Sequence, residues 1–169
     1  MRLVRGLAVA LAVLIGGLPP VADAQQAKPG GLHIDVPVVL KDARIVFNMD
    51  HLVFADGLPT GLGYMRLMSR DFAASATKWQ IIAIFHGPAG YMMLNDGAYD
   101  RVRKTTSGNP YKQLVAELQK IGVRFEECGQ TARDNGWVNA DLLPDVAVNS
   151  GANARIVQLV QDGFVQLQP

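Results

Sequence analysis

Short blocks of consecutive apolar residues alternate with stretches of helical spacing from residue 43 onward. Residues 43–49 (ARIVFNM) set Ile45, Val46 and Phe47 side by side, which predicts a strand buried on both faces. After a Leu58-Pro59-Thr60-Gly61 turn, Leu62, Met65, Phe72 and Ala76 share one helical face, with Arg66 and Arg70 off it. Residues 79–85 (WQIIAIF) predict a second buried strand, ending in the glycine-rich turn His86-Gly87-Pro88-Ala89-Gly90. A helical stretch is predicted over residues 91–103. Asn109-Pro110 predicts the start of another helix, carried by Tyr111, Leu114, Val115, Leu118 and Ile121 and closed by Gly122. Val123 and Phe125 then alternate with polar residues up to Cys128, the mark of a short strand, and Ala132-Arg133-Asp134 lies in a helix opened just after it. Asp141-Leu142-Leu143-Pro144 is a turn, and residues 146–148 form a fourth strand. Ala152, Ile156, Leu159 and Val160 mark a last helix, stopped at Asp162-Gly163 before a fifth strand over residues 164–167. This alternation predicts an α/β fold, a parallel sheet with helices on both faces joined by right-handed crossovers.

The start of the chain follows another pattern. Met1-Arg2-Leu3-Val4-Arg5 is a basic lead, residues 6–18 are uncharged and apolar, and Ala22-Asp23-Ala24 fits a small-x-small cleavage site. The apolar run of 13 residues falls short of the roughly 20 that a spanning helix needs. The expectation is a signal peptide over residues 1–24, cleaved after Ala24, and an exported or periplasmic protein. A flexible lead-in or extended arm follows over residues 25–42, where Pro37 argues against a central strand. A single domain occupies residues 43–169.

Cleavage would leave 14 basic and 14 acidic residues, hence no net formal charge. With no basic cluster along the chain, nucleic acid is not an expected partner. An apolar-rich domain with few charges is suited to association with its own copies.

Cys128 is the only cysteine, so no internal disulfide can form. In an oxidising compartment such a residue is buried, joined to another chain, or used chemically. Its place between a strand and a helix sets it near unpaired N–H groups and the positive end of a helix dipole, which favour a thiolate. The alternative is a small buried hydrophobe. In a parallel sheet the carboxyl ends of the strands line one edge. Asn48, Met49, Asp50 and His51, then His86-Gly87-Pro88, Cys128-Gly129-Gln130 and Asn149-Ser150-Gly151 all fall there. Four readings of that rim are open. Cys128 is a nucleophile or sulfur carrier with His86 as acid or base; Cys128, His86 and His51 bind a transition metal; residues 86–90 cradle an anion; or the histidines only cap and pack. Ser150 lacks the setting of a nucleophile elbow and reads more simply as a helix cap. His33 lies in the arm and receives no role.

Taken in order, Phe85-His86-Gly87-Pro88, Val123-x-Phe125-x-x-Cys128-Gly129, Asp141-Leu142-Leu143-Pro144, Ser150-Gly151 and Asp162-Gly163-Phe164 with a terminal proline form a familiar series. The chain resembles the DsrE/DsrF-like family of small sulfur-relay proteins, in its signal-peptide-bearing branch, from about residue 43 to residue 169. The resemblance implies a three-layer α/β/α fold with a five-stranded parallel sheet, and assembly as trimers or hexamers. It implies that Cys128 carries a persulfide sulfur and passes it to a partner, with His86 as its neighbouring support residue. The expected function is an exported persulfide carrier with no cofactor and no resident metal. Its partners would be a donor or acceptor protein or a small sulfane-sulfur compound. Asn48, Gly87, Gly129 and Ser150 are the expected ligand-binding residues. The alternative is a non-catalytic oligomeric module that binds a small ligand or metal at the strand-end rim.

Overall fold

A computed structural model describes residues 31–169. The predicted signal peptide and the first part of the lead-in lie outside the described residues. The chain divides into two units, Met1–Pro37 and Val38–Pro169, and residues 31–37 carry no helix or strand. Among the described residues, no helix is long and apolar enough to cross a membrane.

The second unit begins with β1 (Asp42–Met49), followed by a small antiparallel hairpin of β2 (Phe54–Ala55) and β3 (Leu58–Pro59). Then come α1 (Thr60–Ala74), β4 (Lys78–Phe85), a 3-10 helix (Gly87–Met93), α2 (Asp96–Arg103) and α3 (Lys112–Lys120). β5 (Arg124–Cys128) runs directly into α4 (Gly129–Asp134), and β6 (Ala147–Asn149), α5 (Ala152–Gln161) and β7 (Val165–Leu167) complete the domain. Five strands form one sheet in the order β6-β5-β4-β1-β7, and every pairing is parallel. The carboxyl ends of all five therefore share one edge.

Successive side chains of a strand point to opposite faces, so each buried strand feeds two cores. Ile45, Phe47 and Met49 of β1, Ile81, Ala83 and Phe85 of β4, and Phe125 of β5 pack with α1, α2, α3 and the 3-10 helix. Val46, Ile82, Ile84 and Cys128 face the other way, against Ala152, Ile156 and Leu159 of α5 and against Phe164. The sheet is thus the middle of three layers. Phe47, Phe85 and Phe125 are fully buried or nearly so, each contributing about 1.5–3 kcal/mol by leaving water.

Several elements depart from the sequence-based expectation. The turn at residues 58–61 includes the second strand of a hairpin that the apolar pattern does not mark. The helix expected over residues 91–103 is two elements, because Asn95 caps α2 by accepting from the Ala98 amide at 3.0 Å. Asn109 is not a helix cap. It is buried, its Nδ2 donates to the carbonyls of Met92 and Leu94 at 2.9 and 2.6 Å, and α3 starts only at Lys112. Those two carbonyls, left free by the break in the helix, explain why a buried amide occupies that position.

Candidate functional site

β5 ends where the chemistry begins. Glu126 and Cys128 are two residues apart and point to the α5 side, while Glu127 points to the other. Arg155 of α5 grips Glu126 with two nitrogens, Nη2 at 2.8 Å and Nε at 3.0 Å, and Asn149 adds a bond to the same carboxylate at 3.2 Å. This ion pair fixes the first turn of α5, whose leading amide, on Ala152, donates to Cys128 Sγ at 3.3 Å. Gly129 must be small here, because a Cβ on it would stand 2.5 Å from the Asn149 carbonyl oxygen.

Cys128 is buried, with 4% of its surface exposed. Burial alone pushes the thiol up. The amides of Thr131, Ala152 and Gln130 and the Thr131 hydroxyl outweigh that effect and hold it below the ordinary thiol value. Thr131 also accepts from the Gly87 amide at 2.9 Å, joining the thiol's helix to the histidine turn. Gly87 has φ +52, a left-handed conformation that suits glycine and turns the chain beneath His86.

His86 Nε2 lies 2.7 Å from Asn48 Oδ1. Burial lowers the imidazole's proton affinity, the Asp50 charge opposes this, and His51 adds to the lowering, with a net fall below the usual histidine value. The fall favours the neutral imidazole. His86, Gly87, Cys128, Gln130, Thr131 and Gly151–Ala154 line one cavity of about 290 Å³. That is room for a small ligand, near the low end for small-molecule sites. A larger cavity of about 970 Å³ lies beside α1, lined by Arg66, Arg70, Trp79 and Ile121, and contains none of the rim residues.

The structure thus brings Cys128, His86 and Gly87 to one cavity, while Gly129, next in the chain, lies against Asn149 outside its lining. Asn48 reaches the site through His86. Ser150 lies outside the cavity lining, and the N-cap position of α5 belongs to Gly151. His51 is largely exposed, pairs with Asp50 and does not line the thiol's cavity. Among the described residues, no three His, Cys, Asp or Glu side chains are grouped to hold a metal ion. Further contributors were not singled out from the sequence. Thr131 stands three residues after Cys128, the spacing of a first helical turn, and that signal was readable. Glu126, Glu127 and Arg155 carried none.

Glu127 is fully buried, and neither carboxyl oxygen has a hydrogen-bond partner. Burial first, and the Cys128 thiolate second, push it up to about 9, against a smaller opposing effect of the Cys128 amide. It packs under the 3-10 helix, where a Cβ on Gly90 would come within 2.7 Å of its Oε1.

Comparison with known proteins agrees with this architecture. Among curated proteins none matches the chain. Among solved structures, a protein of unknown function from Methanobacterium thermoautotrophicum is 25% identical, with a TM-score of 0.58, over 75% of this chain and 99% of its own. The ychN protein from E. coli is 16% identical, with a TM-score of 0.53 and the same coverage, a likeness of fold. The model of the DsrE/DsrF-like family matches residues 43–169, which take in the whole sheet, the cysteine strand and the histidine turn. The chain belongs to the DsrE/DsrF-like family.

Proposed function

We propose that this protein is an exported, homo-oligomeric sulfur carrier in which Cys128 accepts a sulfane sulfur and hands it to an acceptor. The observation that carries the reading is the setting of Cys128: a thiol made acidic by surrounding amides and opening on a cavity it shares with His86. A lowered thiol value raises the fraction of thiolate, the nucleophilic form. With a hydropersulfide donor, the Cys128 thiolate attacks the outer sulfur, a new S–S bond forms, and the donor's S–S bond breaks. The donor leaves as a thiolate with the bonding pair. Charge and sulfur balance, and no oxidant is required. Unloading is the same exchange run toward an acceptor thiol.

Intact-mass measurement after incubation with polysulfide tests the proposal. The expected result is added mass of one or more sulfur atoms, removed by reductant and absent from Cys128→Ser and from thiol-blocked protein. No loading, under conditions that load an established relay protein, would sink the carrier and favour a binding module with an unused thiol.

A further inference from the structure

A chain of side-chain amides crosses the strand-end rim and terminates on His86. Gln168 Nε2 lies 2.8 Å from Asp50 Oδ1 and 2.8 Å from His51 Nδ1. A carboxylate oxygen only accepts, so the Gln168 amide must turn its NH₂ toward Asp50 and its Oε1 away. That Oε1 then accepts from Asn48 Nδ2 at 3.4 Å. With its NH₂ committed, Asn48 presents Oδ1 to His86, and an amide oxygen can only accept. The 2.7 Å contact with His86 Nε2 is therefore an Nε2–H donating to Asn48 Oδ1.

We propose that Gln168, anchored by Asp50 and acting through Asn48, holds His86 as the Nε2–H tautomer and leaves Nδ1 as the ring nitrogen that moves the proton during sulfur transfer at Cys128. The inference rests on the carrier reading for its chemistry and on the amide chain for its geometry. His86 and Cys128 line the same cavity, the arrangement that a proton transfer between them requires. When the thiol is protonated, Nδ1 takes the Sγ proton as Sγ bonds to the donor's outer sulfur. The donor's S–S bond breaks, and the imidazolium returns the proton to the departing thiolate. Cys128–SH and R–S–SH become Cys128–S–SH and R–SH. Asp50, Gln168 and Asn48 are positioning residues in this scheme, and none of them lines the thiol cavity.

Nitrogen-15 NMR of the imidazole at neutral pH reads the tautomer without reference to sulfur chemistry. The expected wild-type spectrum has a proton-bearing Nε2 and an unprotonated Nδ1 on His86. In Gln168→Met the Asn48 amide is released, the two tautomers mix, and the rate of sulfur loading falls by about tenfold, with one Cys128 still loaded at long times. Loading by a protein whose His86 carries Nδ1–H overturns the relay and leaves the carrier standing. So does a Gln168→Met protein with unchanged tautomer and rate. A fixed Nε2–H in a protein that loads no sulfur overturns the carrier and the proton-transfer role, while the orienting chain stands. The wild-type spectrum decides the tautomer even if the variant fails to fold.

Discussion

Glu127 and Cys128 are neighbours in β5 with opposite tendencies toward charge. The carboxyl, ordinarily ionised near 4.5, is pushed up to about 9, while the thiol is held below its usual value. At neutral pH the strand end thus keeps the carboxyl neutral, while the surrounding amides favour charge on the sulfur rather than on its neighbour. The effect on stability has a definite sign. Between 4.5 and about 9 the folded protein holds a proton on Glu127 that the unfolded chain releases, so stability falls as pH rises across that window. Glu127→Gln, neutral and of the same shape, removes that fall. The variant is expected to gain on wild type as pH rises from about 5 to 9, at up to about 1.4 kcal/mol per pH unit. Denaturant midpoints measured across that range check it, and parallel curves for the two proteins would show that Glu127 ionises normally. Cys128 was readable because a lone cysteine between a strand and a helix is a recognisable setting. Glu127 was not, because two consecutive glutamates give no periodic signal for burial, and their burial here depends on α5 on one face and the 3-10 helix on the other.

α5 is held to β5 at two points, Arg155 on Glu126 and the Ala152 amide on Cys128. Two residues of strand span about 6.6 Å and three of helix about 4.5 Å, so sliding the helix disturbs both contacts together. Arg155→Met leaves the largely buried Glu126 carboxylate with only Asn149 for support, at a cost of about 3 kcal/mol. Loosening the Ala152 donor is expected to raise the Cys128 pKa, because that amide is one of the donors that favour the thiolate. The pH dependence of alkylation rate measures this, and an unchanged thiol pKa would separate the ion pair from the site. Strands such as β1 and β4 were legible because each carries an unbroken apolar run, which few alternatives accommodate. The β2–β3 hairpin was not, because each strand is two residues long and leaves no periodicity to read. The helix expected over residues 91–103 failed for a related reason. Its apolar residues follow the core, but Asn95 offers the backbone a cap that ends one helical segment and starts another.

At the scale of the domain, the hairpin and its approach set four neighbouring apolar side chains at the surface. Leu52, Val53 and Phe54 are 43–46% exposed and Leu58 is 37% exposed, in a two-stranded element of a kind that is marginal alone in water. The proposed homo-oligomer would bury this surface. Sedimentation is expected to return three or six times the protomer mass, and Phe54→Asp with Leu58→Asp is expected to shift the species toward monomer. A monomeric wild-type protein would remove the oligomer from the proposal. The parallel α/β architecture was legible because alternating apolar runs and helical spacings admit few topologies. The convergence of Asp50, Asn48 and Gln168 on His86 was not, because it depends on β7 lying beside β1, a neighbour relation that local pattern does not encode.

That neighbour relation gives the protein an order in time. A ribosome delivers His86, then Cys128, and only about forty residues later Gln168. A nascent chain or recombinant fragment that stops short of β7 already holds both reactive side chains, yet lacks the residue that turns the imidazole. The full rate at this site would therefore arrive last, after the sheet's fifth strand has closed against its first.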